Sequence, residues 1–440
     1  MQRFAWSGCQ SVKLAIMKKI ISISFRSILT LSIFALFSGC IKDLQTHMVT
    51  YSWYEPLYKT KAEVIADIKS NPPRDIVTPG KIFINGKYIY LNERGSGIHI
   101  IDNSNPSSPK NIAFISIAGN VDIAIKGNTL YADLYNDLVA LNIANPLGVV
   151  TTKIVANAFP DNAYSYYVID SNKIIYDWKR HDTAIAITSS QSQQVWPGGI
   201  CANCLYANSS APQNSNSSSA QAGQAGSMAR FALVNNYLYA VGYTNLNIFN
   251  VTTPQQPIFD NKINVGNWNI ETVFPFKNKL FIGSQNGMYI YDISKPDQPT
   301  TDGQFGHLRS CDPVIVDDSF AYVTLRSGTA CQGFTNQLDI LQLNNLTNPG
   351  LVKSYNLTNP HGLSKDGNLL FICDGADGLK IYNAGDVNKL HLVKHFSGLE
   401  TYDVIANNNI ATVVAKDGLY QFNYSDANNI HLLSKINIAK

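Results

Sequence analysis

Methionine (5), tryptophan (5) and cysteine (7) are sparse in this chain of 440 residues, and charged side chains make up only 15% of it. Hydrophobic residues reach 45%, with 23 tyrosines and 19 phenylalanines. A composition so poor in charge and rich in aromatics excludes a disordered chain or a coiled coil and favours strands over helices. A basic footprint is also missing. Five of the 34 basic residues (Arg3, Lys13, Lys18, Lys19, Arg26) lie in the first 39 positions with no acid, and the other 29 face 31 acids, a net of −2. The body of the chain therefore lacks the charge that nucleic-acid binding requires. No His-Glu-x-x-His pattern and no Gly-x-Ser-x-Gly elbow is present, so neither a zinc protease helix nor a hydrolase nucleophile is signalled.

The one long apolar run, Ile28 to Phe37, is too short to span a bilayer comfortably. It follows the basic segment with Lys18, Lys19 and Arg26 and ends in Ser38-Gly39-Cys40. That order is a bacterial export signal, and small residues directly before a cysteine resemble the site cut by lipoprotein signal peptidase. Residues 1–39 are expected to be the signal, with Met17 as an alternative start, and Cys40 the lipidated first residue. Phe37 departs from the smaller aliphatic residue commoner at its position.

What the sequence does contain is repetition. NGKYIYLNERGSGIHIIDNSNP (85–106), KGNTLYADLYNDLVALNIANP (126–146), NNYLYAVGYTNLNIFNVTTP (235–254) and KNKLFIGSQNGMYIYDISKP (277–296) share one pattern. Weaker copies start near residues 170, 317, 366 and 407, so eight repeats are counted. Their turn residues Gly86, Gly127, Ser171, Asn236, Asn278, Asp318, Gly367 and Asn408 are spaced by 41, 44, 65, 42, 40, 49 and 41. Each unit reads as four short strands, A to D, with tight A–B hairpins. Such units of about 40–45 residues predict an all-β propeller. Eight blades are expected, or seven if the third unit, which lacks the Asn-Pro turn and a clear fourth strand, is vestigial. Asn or Asp before Pro106, Pro146, Pro254, Pro296 and Pro349 reads as turn chemistry.

The segments GIHIIDNSNPSSP (97–109), GMYIYDISKPDQP (287–299), SMARFALVNNYLYAV (227–241), SCDPVIVDDSFAYVTLRSGTAC (310–331) and DGADGLKIYN (374–383) closely resemble the LVIVD-repeat proteins, bacterial surface propellers that are often lipoproteins. The resemblance runs from about Tyr51 to Lys440. It implies a propeller in the cell envelope and carries over no catalytic residue. The domain reading is a lipidated tether over 40–77, a single propeller over 78–440, and a flexible insertion at about 196–227. Val64, Ile65 and Ile68 suit one short helix in the tether.

Five cysteines remain beyond Cys9 and Cys40. Export permits disulfides. Cys311 and Cys331 flank the first hairpin of the sixth unit near one end, and a bond between them is expected. Cys201 and Cys204 suit a local loop disulfide, with free thiols or a metal or redox role as alternatives, although no second ligand pair supports zinc. Cys373 reads as a small buried thiol. Asp374 and Asp377 read as turn formers rather than as an EF-hand loop.

Strand direction sorts the connections. A–B and C–D turns share one face, and B–C and D–A connections share the other. The second collects Arg94, Arg180, His181, Arg230, Glu271, Asp312, Arg326, His361 and Asp374, with Glu93, Lys179, Arg309 and Asp377, and is expected to surround the channel mouth as exposed polar loops. Variable loops on a rigid scaffold are where binding resides. The expected function is a non-enzymatic lipoprotein of the bacterial cell envelope, anchored in the outer membrane and periplasmic or surface facing, that presents this face to a protein or glycan. It is expected to be a monomer, to need no cofactor or metal, and to bind no nucleic acid. The alternatives are a propeller hydrolase or lactonase with a metal at the channel mouth, and a structural envelope protein without a ligand. Replacement of Cys40 by serine should move the protein out of the membrane fraction or leave it unprocessed. Normal processing with unchanged membrane association in fractionated cells would refute lipidation.

Overall fold

The computed structural model describes residues 46–160, 173–188, 224–266, 270–285, 287–306, 313–327 and 335–439. The chain forms two compact units, one of residues 1–52 and 182–199, the other of residues 53–181 and 200–440. In the first, Ser52 Oγ donates to Asp182 at 2.6 Å. The second holds the propeller.

A long strand, β1 (Thr46–Thr60), leads into a helix, α1 (Lys61–Ala66), and a short strand, β2 (Ser70–Asn71). Blade 1 runs from β3 (Pro79–Asn85) to β6 (Lys110–Ser116), and blade 2 from β7 (Ile123–Lys126) to β10 (Val150–Val155). Then come β11 (Lys173–Thr188) and β12 (Gln224–Ala225). Blade 3 spans β13 (Phe231–Val234) to β16 (Ile258–Asn264), and blade 4 spans β17 (Ile270–Phe276) to β20 (Thr300–Gly306). Blade 5 spans β21 (Val314–Val316) to β24 (Gly350–Asn356), and blade 6 spans β25 (Leu363–Asp366) to β28 (His391–Phe396). Blade 7 spans β29 (Thr401–Asn407) to β32 (His431–Asn437).

Among the described residues there are eight sheets. Seven contain an antiparallel meander of four consecutive strands, as the repeats predict. The eighth is two-stranded and pairs β1 with β11. The third repeat thus supplies one long strand rather than a blade, and blade 2 meets blade 3 directly through β7 and β13. Seven blades, the alternative reading, form the ring. Among the described residues, the strand of that repeat finds its partner in β1 rather than in a blade.

The sequence pattern follows from blade packing. The inner three strands are covered on both faces by neighbouring blades, so they read as nearly unbroken apolar runs. In blade 2 all six residues of Thr129–Leu134 are buried. The outermost strands have one open side, and none of the six residues of β10 is fully buried.

Turn chemistry repeats with the blades. Gly86 and Gly127 take φ of 57° and 58° in their A–B hairpins, and Asn235, Lys277 and Asn408 adopt the same left-handed conformation elsewhere. At the C–D turns a side-chain oxygen from the end of strand C accepts a backbone N–H two residues on: Asp102 from Ser104, Asn142 from Ala144, Asn250 from Thr252, Asp292 from Ser294, Asn383 from Gly385 and Asn423 from Ser425. The recurring Asn or Asp is therefore a turn former, as read. The prolines have a second use. Tyr131 Oη donates to the carbonyl of Pro254, and Tyr239 Oη to that of Pro296, both at 2.8 Å, which ties each blade to the turn of the next.

The ring closes without a shared strand. Between blades 7 and 1, Gln421 and Asn103 exchange amide hydrogen bonds at 2.8 and 2.9 Å, and Gln421 also reaches the Pro106 carbonyl at 3.1 Å. Ala439 N donates to Ile76 O at 2.8 Å. Beneath these bonds Ile76, Ile82, Ile89, Leu91 and Ile101 pack with Ile405, Val414 and Leu419.

The expected short helix is present as α1. Thr60 Oγ1 accepts from Glu63 N while Glu63 Oε2 accepts from Thr60 N, a capping box. Val64 and Ile68 are buried in the core cluster that includes Ile98 and Ile115. The tether reading needs correction on both sides of it. β1 is regular strand, because its β-favouring Val49, Tyr51, Trp53 and Tyr54 find a partner in β11. β2 adds to the outer edge of blade 1, with Ser70 opposite Ile115. The flexible insertion read over about 196–227 is described only at its end, and residues 224–227 there are ordered.

Replacing Tyr239 by phenylalanine removes one inter-blade hydrogen bond and should cost about 0.5–1.5 kcal/mol. The urea midpoint should fall with an unchanged slope. Tyr243→Phe, at a side chain 56% exposed, should change stability by less than about 0.5 kcal/mol.

Candidate functional site at the channel

All seven inner strands start on the face that carries the B–C and D–A connections. Ionisable residues cluster at these starts: Lys81 in β3, Asp122 before β7, Arg230 before β13, Glu271 in β17, His361 before β25 and Asp403 in β29. Lys81 Nζ lies 2.8 Å from Asp122 Oδ2. The same oxygen accepts the backbone N–H of Arg230, and that of Phe231 at 3.2 Å. Asp133 Oδ1 accepts from Asn120 Nδ2 at 2.8 Å, Val121 N at 2.8 Å and Asp122 N at 2.9 Å. Arg230, Asp122 and Asp133 line a recess closed by Val121, Phe159, Phe231 and Val241.

The centre of the ring is not empty, because residues 224–230 cross it. β12 pairs antiparallel with the inner edge of β3, Gln224 opposite Ile84 and Ala225 opposite Phe83. The segment therefore runs from the A–B turn face toward the opposite face. Gly226 N donates to Ile82 O at 3.3 Å in blade 1. Ser227 Oγ accepts from Leu363 N at 2.6 Å in blade 6 and lies 3.5 Å from Asp403 Oδ1 in blade 7. Ala229 O accepts from Val273 N at 2.9 Å in blade 4, and Arg230 O from Val241 N at 2.8 Å in blade 3. Small side chains make the crossing possible. A Cβ at Gly226 would collide with the Asp403 carboxyl group, and one at Gly362 would meet both Asp403 and Met228.

Burial sets the proton affinities here. It pushes Asp133 up to about 6 against the opposing N–H bonds from Asp122 and Val121. It raises Asp403 well above the carboxylate range despite the Val404 N–H and the Lys81 charge. Asp403 Oδ2 has no hydrogen-bond partner among the described residues. Burial also lowers Lys81 and Arg230, with Asp122 and Asp133 opposing the shift. At the mouth, Arg326 Nη1 approaches His361 Nδ1 at 3.1 Å, and the His361 ring meets Tyr402 edge-on at 5.5 Å. Burial, then the Arg326 charge, brings His361 down to about 3. Asn359 Nδ2 stands 3.4 Å from its Nε2.

Of the residues expected on the second face, Arg94, Arg230, Glu271, Arg326, His361 and Asp374 lie in or beside B–C or D–A connections. Arg180 and His181 do not. They sit on β11, where His181 stacks on Trp53 at 4.2 Å between ring centroids and bonds Glu55 at 2.8 Å. Their repeat forms no B–C turn, so strand direction places them wrongly. Asp312, Cys40, Cys201, Cys204, Cys311 and Cys331 lie outside the described residues. Cys373 is buried and free, with its thiol pushed up by burial.

The expectation of exposed polar loops is also corrected. Glu271 and Asp374 are buried, at 1% and 0% exposure. Asp374 accepts the N–H groups of Thr358 and Asn359 and pairs with Lys380 at 2.6 Å. Glu93 does the same for blade 1, accepting from Val77 N and Thr78 N and bonding His99. Burial alone would raise Glu93, but the bonds from His99, Thr78 and Val77 bring it to about 2. Glu93, Asp133 and Asp374 share one task. Each closes a B–C corner by capping the incoming D–A backbone. The sequence reading missed Lys81, Asp122, Asp133 and Asp403, although the seven- and six-residue offsets from Gly86 to Glu93 and Gly127 to Asp133 carried a signal. Among the described residues, no group of three or more His, Cys, Asp or Glu side chains is placed to hold a metal ion. No described helix is long and apolar enough to cross a membrane.

His361 yields a pH prediction. Its folded value of about 3 lies below its ordinary 6.5. The unfolded chain therefore takes up the proton first, so stability is complete above about pH 6.5 and declines as the pH falls toward 3. His361→Gln should flatten this slope of urea midpoint against pH. An unchanged slope would show that His361 is not the group responsible.

Residues 80–113 and 278–305, within blades 1 and 4, match the LVIVD repeat. No curated protein is detectably similar in sequence. Among solved structures, the periplasmic gluconolactonase PpgL of Pseudomonas aeruginosa is 11% identical, with a TM-score of 0.49 over 82% of this chain and 97% of that one. BamB from Moraxella catarrhalis is 10% identical, with a TM-score of 0.45 over 84% and 96%. PorZ, a surface component of the type-IX secretion system of Porphyromonas gingivalis, is 13% identical, with a TM-score of 0.46 over 84% of this chain and 40% of that one. The fold assignment stands on the strand order and ring closure themselves. The chain is thus a β-propeller that carries LVIVD repeats in two of its blades.

Proposed function

We propose that this protein is a non-enzymatic binding module of the bacterial cell envelope, held to the membrane through lipid on Cys40, that presents its B–C and D–A connections to a protein or glycan. The observation that carries the reading is the contrast between the two faces. The A–B and C–D turns repeat the same hydrogen bonds from blade to blade and are spent on structure. The opposite connections differ in every blade, and Tyr243 and Lys416 project from them into solvent. Because residues 224–230 occupy the channel, a partner meets this face over its surface rather than through the pore. The envelope address rests on the export signal and its Ser38-Gly39-Cys40 ending.

Photo-crosslinking amino acids at Tyr243 and Lys416, tested in intact cells, should capture a partner. The same probes at Lys87 and Lys295, on the opposite turns, should not. Capture only from Lys87 or Lys295, or from no position, would overturn the proposal.

A further inference from the structure

The segment in the channel is held as a bound peptide would be held. It adds a strand to the open inner edge of β3, and edge addition is a general mode of peptide recognition in which main-chain bonds supply affinity. Gln224 and Ala225 pair with Ile84 and Phe83, and Gly226 N continues the ladder to Ile82 O. Past that edge the chain turns at Ser227 and Met228, and the ring offers it fixed groups. Leu363 N donates to Ser227 Oγ, Val273 N to Ala229 O, and Asp122 Oδ2 accepts from Arg230 N. These partners come from blades 1, 2, 4 and 6, so the recognition surface exists only in the closed ring.

The channel also selects by size. A Cβ at Gly226 would collide with the Asp403 carboxyl group, so a side chain there forces that group to move. Ser227 and Ala229 are 0% and 1% exposed, which limits those positions to small residues. The pattern accepted is thus Gly-Ser-x-Ala-Arg, with a turn at Ser227 and Met228. In sequence β12 starts 131 positions beyond Glu93, at which the β3–β4 hairpin is already complete, so β12 joins a sheet whose own four strands are contiguous without it.

We infer that the central channel is a binding site for a peptide of small residues ending in arginine, two residues of strand followed by a turn, which this chain fills in cis with residues 224–230 and which a peptide of the same chemistry can fill in trans. The inference goes beyond the surface-binding reading and does not depend on it. Covalent attachment gives the cis segment a high effective concentration, so free peptide does not compete in the intact chain. Weakening the cis segment opens the site.

The test uses two full-length variants and a fluorescein-labelled peptide with the sequence of residues 222–231. Gly226→Val places a side chain against Asp403. A deletion of residues 219–230 removes the segment. Both variants should bind the peptide saturably and gain thermal midpoint as its concentration rises. The unmodified chain should bind at least tenfold more weakly, and so should a peptide carrying valine at the position of Gly226. Where a variant does not fold alone, refolding with the peptide should recover native circular dichroism. Folded variants that bind neither better than the unmodified chain, or unfolded variants that the peptide does not rescue, would overturn the inference. Crosslinking from Tyr243 reads the surface proposal separately, so either idea can fail without the other.

Discussion

Asp122 joins three blades through one carboxylate. Its Oδ2 takes the Lys81 ammonium from blade 1 and the Arg230 and Phe231 backbone N–H groups at the start of blade 3, while Oδ1 accepts Ile123 N at 2.7 Å in blade 2. A buried charge is costly unless paired and fully hydrogen-bonded, and this one is both. The geometry fixes where blade 3 begins relative to blade 2. That matters because the repeat between them does not form a blade, and the chain must re-enter the ring at a defined place.

The rest of the channel follows from that anchor. Once Arg230 is fixed, the preceding residues must pass through the ring centre. Their main-chain groups need partners there, because a buried N–H or C=O left unpaired costs as much as a lost hydrogen bond. Ile82 and Val273 supply those partners, and Leu363 N donates to the Ser227 hydroxyl. The carboxyl group of Asp403, which is raised by burial, lies against Gly226, where a neutral acid is tolerated better than a charge. Polar residues at the starts of the inner strands thus serve the filling of the channel as much as its mouth.

Around this centre the blades are joined by a repeated device. Aromatic side chains of the second strand fill the inter-blade core, and Tyr131 and Tyr239 spend their hydroxyls on the proline carbonyl of the next blade. Buried tyrosine needs such a partner, and the Thr-Pro or Lys-Pro turn places one at the right height. Between blades 7 and 1 an amide pair and an aliphatic cluster take over this task. Closure there depends on side-chain complementarity rather than on a strand contributed by both termini.

Local chemistry determined the blades. Short, nearly unbroken apolar runs, Gly or Asn at left-handed turn positions, and Asn or Asp before proline each act within a few residues, so a single repeat such as 277–296 already specifies its hairpins and its Asx turns. The capping box of Thr60 and Glu63 and the apolar positions Val64 and Ile68 were equally legible for α1. Ring size was not fixed by repeat counting, because whether residues 173–188 make a blade depends on the partner that β1 offers. The channel lay beyond local reading for the same reason. Arg94, Arg230, Arg326 and His361 could be assigned to one face from strand direction. That Asp122 would hold Arg230 from 108 positions away, that Asp374 and Glu271 would be buried, and that Gly226 and Ser227 would lie against Asp403 follows only from closing the ring. Closure brings the starts of seven inner strands to one axis, and burial at that axis turns polar loop residues into structural ones.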